Sequence, residues 1–136
     1  MTHPPNVIIE LLQEDQRYKL DAYSFIREAL EYAQNQLEMG EQGEMNEETG
    51  TRERHLTGQQ LCEAIRKYAL EQYGLLTLNV LGSWGVSTTG DFGEIVYNMI
   101  RVGLMKQSEH DRREDFNDVY KFEEVFKNKF EINKSD

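Results

Sequence analysis

The chain has 136 residues, 38% of them hydrophobic, and a formal net charge of −10. That length and apolar content suffice for one core, so we expect residues 1–136 to form a single domain without disulfides or metals. The negative charge repels phosphate backbones and anionic lipids, which argues against nucleic acid or a membrane surface as a partner.

The cysteine content and the N-terminus bear on the cellular compartment. Cys62 is the only cysteine, so no intramolecular disulfide can form, which is typical of a reducing compartment. Residues 1–12 lack a basic region ahead of their apolar run, and no segment reaches the roughly 20 apolar residues of a membrane-spanning helix. The sequence therefore predicts a cytoplasmic protein with no membrane partner.

The N-terminal part of the chain contains two predicted helices and an acidic segment. A short helix is predicted after Pro4 and Pro5, and a longer one within residues 17–37, where apolar residues recur at spacings of three and four. Residues 38–55 contain three glycines and, in their first part, five glutamates with no base among them. We expect a mobile acidic loop there, with an acidic docking segment as the functional alternative.

Two capping boxes mark helix starts in the second half of the chain. Thr57 and Thr88 are each followed three positions later by a side chain that can bond back to the start of the helix. We expect the first of these helices to end at Gly74 and the second at Gly103, with a short apolar helix and a tight turn between them. Residues 104–122 are predicted to form a charged β-hairpin, with a short strand at 104–107, a charged segment at 108–118 and a returning strand where side chains alternate from Val119 onwards.

The order of these elements predicts the fold class. Helix, short helix, turn, long helix and hairpin follow one another over residues 58–126, which is the order of a helix-turn-helix with a wing. We therefore predict a mainly α protein with one small β-hairpin. Its winged-helix-like unit would pack against the additional N-terminal helices, and a polar tail at 127–136 would fray.

The exposed face of the long helix and the hairpin form the candidate interaction surface. A DNA-reading helix should present Arg, Lys, Asn or Gln there, whereas this surface mixes acids with bases and suits a protein partner better. Within residues 111–115, ion pairs that hold the hairpin to the helices are the favoured interpretation, and a binding surface is the alternative. The predicted members of the interaction surface are Asp91, Glu94, Asn98, Arg101, Arg112, Arg113 and Asp115.

No pattern in the sequence predicts a catalytic residue, a metal or a cofactor. Residues 91–93 spell the kinase metal-binding tripeptide, but the glycine-rich and catalytic loops that accompany it in kinases are missing. His110 and Glu114 are spaced for one helix face, yet two arginines lie between them and disfavour a cation. We expect Cys62 to be a small buried apolar residue and His55 to lie on the surface of a loop.

Three segments resemble a known family. They are residues 82–96 (GSWGVSTTGDFGEIV), residues 113–116 (REDF) and residues 23–30 (YSFIREAL). All three resemble a family of small conserved bacterial proteins of unknown function, described mainly from planctomycetes and verrucomicrobia. The resemblance covers residues 17–126 and implies no activity, ligand, cofactor or catalytic residue.

These observations favour a non-catalytic protein-interaction or regulatory module whose partner is another protein. The first alternative is a DNA-binding winged-helix regulator, which could dimerise to gather its few basic residues. The second is an enzyme of an unrecognised class, which would need a concave site with convergent polar groups. Whether the chain forms a homodimer is left open by the sequence.

Overall fold

The computed structural model describes residues 4–46, 51–107 and 111–126, and for residues 4–6, 41–46 and 51–54 it describes the backbone alone. The structure is mainly helical, as predicted. The helices are α1 (Pro4–Glu14), α2 (Leu20–Asn35), α3 (Gly58–Tyr73), α4 (Thr77–Ser83), α5 (Thr89–Arg101) and α6 (Phe122–Val125). Two 3₁₀ turns, Gly74–Leu76 and Arg113–Phe116, and two strands, β1 (Glu41–Asn46) and β2 (Thr51–His55), complete the described elements.

Both predicted capping boxes are present. Thr57 accepts a hydrogen bond from the backbone N–H of Gln60 at 3.1 Å, and the Gln60 side chain accepts one from the N–H of Thr57 at 2.9 Å. Thr88 and Asp91 form the same reciprocal pair, at 3.2 and 3.1 Å. Each box satisfies N–H groups that have no partner within the helix, so residues within the first turn determine where each helix begins.

Helix α5 lies at the centre of the structure. It packs against α2, α3 and the 3₁₀ turn Arg113–Phe116. Its buried apolar residues are Phe92, Ile95, Val96 and Met99. At Gly93 an added Cβ would lie 2.8 Å from the Cβ of Phe116, so only glycine allows the 3₁₀ turn to approach this closely. The hydroxyl of Thr89 also donates to the carbonyl of Phe116 at 2.6 Å, which anchors the turn to α5.

The β-hairpin predicted for residues 104–122 is wrong. Within 104–107 and 111–122 the structure has the 3₁₀ turn and the start of α6, and no strand. The alternation of Tyr120 and Phe122 suggested a strand, but both rings belong to an aromatic cluster. Phe122 packs on Phe92 at 5.4 Å and on Phe126 at 5.1 Å, so the segment is held against the helices rather than projecting from them.

The loop predicted for residues 38–55 is also wrong in its secondary structure. Strands β1 and β2 pair antiparallel, with Glu41 opposite His55 and Asn46 opposite Thr51. An irregularity in the register between Gln42 and Met45 interrupts the ladder. The strands lack the apolar alternation by which strands are recognised in a sequence, so the sequence did not predict them. The predicted mobility of the segment stays a prediction, and residues 47–50 lie outside the described part of the chain.

The corner between α3 and α4 leaves apolar side chains on the surface. Leu75, Leu76 and Leu78 are 57%, 62% and 37% exposed. The Thr77 hydroxyl donates to the carbonyl of Gly74 at 2.7 Å and fixes this corner. None of the helices in the described ranges is long and apolar enough to cross a membrane. The predicted polar tail at 127–136 lies outside those ranges.

Candidate functional site

The face of α5 that was predicted to be free is covered by the turn between α1 and α2. Asn98 is 7% exposed. Its side-chain amide donates to a carboxylate oxygen of Asp15 at 2.9 Å and to the hydroxyl of Tyr23 at 3.1 Å. The prediction of Asn98 as an exposed interaction residue is therefore wrong, because a turn far away in sequence lies across this face.

Asp91 is likewise occupied by internal contacts. One carboxylate oxygen accepts a hydrogen bond from the hydroxyl of Tyr18 at 2.5 Å, and the other accepts from the backbone N–H groups of Ser87 and Thr88. Burial alone would raise the pKa of Asp91, but these hydrogen bonds hold it below its usual value. Asp91 thus caps α5 and anchors the covering turn.

Three further members of the predicted surface form ion pairs within the chain. Glu94 lies between Arg17 at 3.4 Å and Arg113 at 2.9 Å. Arg101 pairs with Glu14 at 2.9 Å. The pair between Arg113 and Glu94 agrees with the interpretation of residues 111–115 as structural ion pairs. Glu94 is 31% exposed and its partners, like both members of the Arg101 pair, are about half exposed, so each pair contributes little to stability.

The remaining two predicted members lie elsewhere. Asp115 is partly buried at the 3₁₀ turn, where its backbone N–H donates to the carbonyl of Arg112 at 3.1 Å. Arg112 is exposed and lines a cleft on the other side of α5. The structure therefore does not bring the seven predicted residues together as one surface.

The cleft that Arg112 lines is the candidate functional site. It has a volume of about 390 Å³ and is formed by α2, the connection from β2 to α3, the C-terminal half of α5, residues 103–106 and residues 111–112. We call it the α2–α5 cleft. Its apolar wall includes Leu30, Leu56, Val96, Ile100, Leu104 and Met105. A concave apolar wall of this size is typical of ligand and peptide sites.

Charged side chains from separate elements surround this wall. Arg27 from α2, Lys106 after α5 and Arg112 before the 3₁₀ turn are exposed cations. None of the three forms an ion pair with any residue that the structure describes. Two acids, Glu31 and Asp111, line the same cleft. The lining thus carries one net positive charge, in a chain whose net charge is −10.

Tyr97 lines the cleft and has a buried hydroxyl. That hydroxyl has no hydrogen-bond partner among the described residues. The ring packs edge-on against Phe116 at 6.4 Å, and the guanidinium of Arg113 lies 5.1 Å from the ring centre. Burial raises the pKa of the hydroxyl, and the nearby carboxylates of Asp111 and Asp115 raise it further. The group therefore stays protonated and can donate a hydrogen bond.

Of the three residues considered for chemistry, the structure describes Cys62 and His55. Cys62 is fully buried, as predicted, and burial raises the pKa of its thiol to about 12, so it is not a nucleophile at neutral pH. His55 ends β2, is exposed and lines the cleft. His110 lies outside the described residues. Among the residues whose side chains the structure describes, no three His, Cys, Asp or Glu side chains group to hold a metal.

Sequence reasoning missed the α2–α5 cleft because its residues come from four separate segments. Arg27 and Arg112 are 85 positions apart (112 − 27), and no local pattern links them. Among known proteins, no family model, curated protein or solved structure matches this chain, so its resemblance to the uncharacterised bacterial family stays a prediction.

Proposed function

We propose that this protein is a non-catalytic protein-interaction module that holds a segment of a partner protein in the α2–α5 cleft. The observation that carries the proposal is the combination of an apolar wall with three exposed cations that have no ion-pair partner within the described residues. Protein interfaces commonly have an apolar centre, a charged rim and an enrichment in arginine. An extended or helical segment would place apolar side chains against the wall and polar ones at the rim.

The scaffold that we propose for this module is winged-helix-like. Helices α3, α4 and α5 follow in the order of a helix-turn-helix, with residues 84–88 as the turn. Residues 113–126 follow α5, where a winged helix would have its wing, and the 3₁₀ turn among them packs back against α5. This arrangement leaves the cleft, rather than the outer face of α5, as the open surface of the unit.

The contacts made by α5 do not favour the DNA-binding alternative. A reading helix needs a free face in the major groove. Here the Asp15 carboxylate lies on Asn98, and Glu14 pairs with Arg101 at the end of the same helix. Acids over the reading face, added to a net charge of −10, oppose the approach of phosphates.

A peptide selection with cleft variants tests the proposal. The purified chain would be presented with a random library of peptides about 12 residues long, a length that covers the known peptide-recognition modes. Leu104→Glu places a charge against the apolar wall of the cleft. Leu78→Glu is the matched control, because it makes the same exchange on α4, outside the cleft.

We expect selected peptides to bind the unaltered chain and Leu78→Glu equally, and to lose at least about tenfold in affinity on Leu104→Glu. Circular dichroism of both variants would check that they are folded. The proposal is refuted if no peptide is enriched, or if the enriched peptides bind Leu104→Glu as well as the control.

A further inference from the structure

On the basis of that proposed function, we infer that the α2–α5 cleft recognises an acidic segment of the partner protein, in which one or two carboxylate side chains stand next to apolar residues. Arg27 and Arg112 would bind the carboxylate, the apolar wall would hold the neighbouring side chains, and Tyr97 would donate a hydrogen bond to the bound segment.

The arginines carry the first part of the argument. Six arginine side chains are described, and four of them pair with a carboxylate of this chain: Arg17, Arg66, Arg101 and Arg113. The two without an ion pair, Arg27 and Arg112, both line the cleft. In a chain with 25 acids and 15 bases, unpaired arginines on a shared cleft leave their charge available to a ligand. A guanidinium presents a planar fork that matches a carboxylate in two hydrogen bonds.

The acids of the cleft limit how much negative charge the ligand can bring. Glu31 and Asp111 face the same space as the three cations, so the lining has one net positive charge. A long run of acids would be repelled by these two carboxylates and by the charge of −10 on the whole chain. A segment with one or two acids and apolar neighbours fits this balance.

The hydroxyl of Tyr97 adds an unpaired donor to a residue that lines the cleft. Buried polar groups are nearly always hydrogen-bonded, and this one has no partner in the described part of the chain. A segment lying in the cleft would bring carboxylate oxygens and backbone carbonyls that can accept its hydrogen bond. The unpaired donor would then be satisfied in the complex, which favours binding.

Two peptide libraries distinguish this inference from the proposed function on which it rests. Both would contain peptides of about 12 residues built from apolar residues and glycine. One library would add Asp and Glu, and the other would add Asn and Gln, which have the same shapes without the charge. Affinities of enriched peptides would be measured by fluorescence anisotropy at about 0.05 M and about 0.3 M salt, because screening weakens charge pairs.

We expect the acidic library to yield peptides at least about tenfold tighter than the amide library, as a hydrogen bond to a charged group contributes that much. Arg27→Gln and Arg112→Gln should each weaken the acidic peptides about tenfold and lower the salt dependence of their binding, because each removes one of the cations of the cleft. Arg101→Gln is the matched control, since it removes an arginine that lies outside the cleft and already pairs with Glu14. Tyr97→Phe should weaken binding without lowering the stability of the protein.

Each other result overturns the inference. If amide peptides bind as tightly as acidic ones and are still blocked by Leu104→Glu, the acidic specificity is refuted and the proposed function stands. If Arg101→Gln weakens acidic peptides as much as Arg27→Gln does, the attraction is unspecific and does not arise in the cleft. If neither library yields a binder, the inference and the proposed function are both refuted.

Discussion

The buried hydroxyl of Tyr97 makes an unusual prediction about stability. Replacing this tyrosine with phenylalanine keeps the ring, which packs edge-on against Phe116 at 6.4 Å and lies beneath the guanidinium of Arg113. The substitution removes only an oxygen that has no hydrogen-bond partner among the described residues. In the unfolded chain the hydroxyl bonds to water, so folding removes that hydrogen bond without replacing it.

The expected effect of Tyr97→Phe is a gain in the free energy of unfolding. An unsatisfied buried hydroxyl costs about 1–3 kcal/mol. Because the residue as a whole is only partly buried, we expect the lower end, about 1 kcal/mol, which corresponds to a rise in Tm of roughly 4 °C for a domain of this size. Urea denaturation would measure the difference, with an unchanged dependence on urea concentration as the sign that the folded and unfolded states are otherwise alike.

Tyr23→Phe is the matched control for this experiment. It makes the same chemical change at a tyrosine whose buried hydroxyl accepts a hydrogen bond from Asn98 at 3.1 Å. Losing that acceptor should lower the free energy of unfolding by about 1 kcal/mol. The reasoning is refuted if Tyr97→Phe destabilises the protein as much as Tyr23→Phe does, since the Tyr97 hydroxyl would then have a partner in the folded state.

Four further predictions concern stability, charge and the acidic segment. Gly93→Ala should lower the free energy of unfolding by about 1–3 kcal/mol in urea denaturation, since its Cβ would meet Phe116, whereas Gly82→Ala, with open space around it, should raise it by about 0.5–1 kcal/mol. The hydrogen bond from Arg17 lowers the pKa of Asp15 despite partial burial, so the ionised carboxylate stabilises the fold above about pH 4 and this stabilisation is lost as the pH falls below that value. In Asp15→Asn the free energy of unfolding should therefore depend less on pH below about pH 4. The chain should show no specific duplex-DNA binding by anisotropy at physiological salt, and a sub-micromolar, salt-sensitive complex would contradict the electrostatic argument. Limited proteolysis followed by mass spectrometry should cut first within residues 38–55, and earlier cuts in α5 would contradict the predicted mobility.

The sequence predicted the helices well because their signals are local. Thr57 and Thr88 mark starts that the structure confirms, and Gly74 follows the last residue of α3. A capping box or an apolar stripe involves residues within one or two turns of each other, so the neighbouring sequence contains the whole signal. The buried position of Cys62 could be predicted for the same reason, from its place beside an apolar helix face.

The strands were harder to predict because apolar alternation neither accompanies every strand nor occurs only in strands. Strands β1 and β2 pair without apolar alternation in their sequences, and their pairing depends on backbone hydrogen bonds. Residues 119–123 alternate, yet the alternation reflects the aromatic rings of Tyr120 and Phe122, which pack on one another and, for Phe122, on Phe92. A short alternating stretch shows which side chains are buried, and it does not show whether a partner strand exists.

What the sequence by itself determined is the class of the protein: mainly helical, acidic, with helix starts at Thr57 and Thr88 and a buried Cys62. Which polar residues are free to bind a partner was decided only by the tertiary structure. Asn98 has the spacing of a surface residue on α5, but the turn at Asp15 covers it, while Arg27 and Arg112, from distant parts of the chain, line the same cleft. Packing between elements distant in sequence decides exposure, and a periodic pattern within one helix carries no information about which distant segment will lie across it.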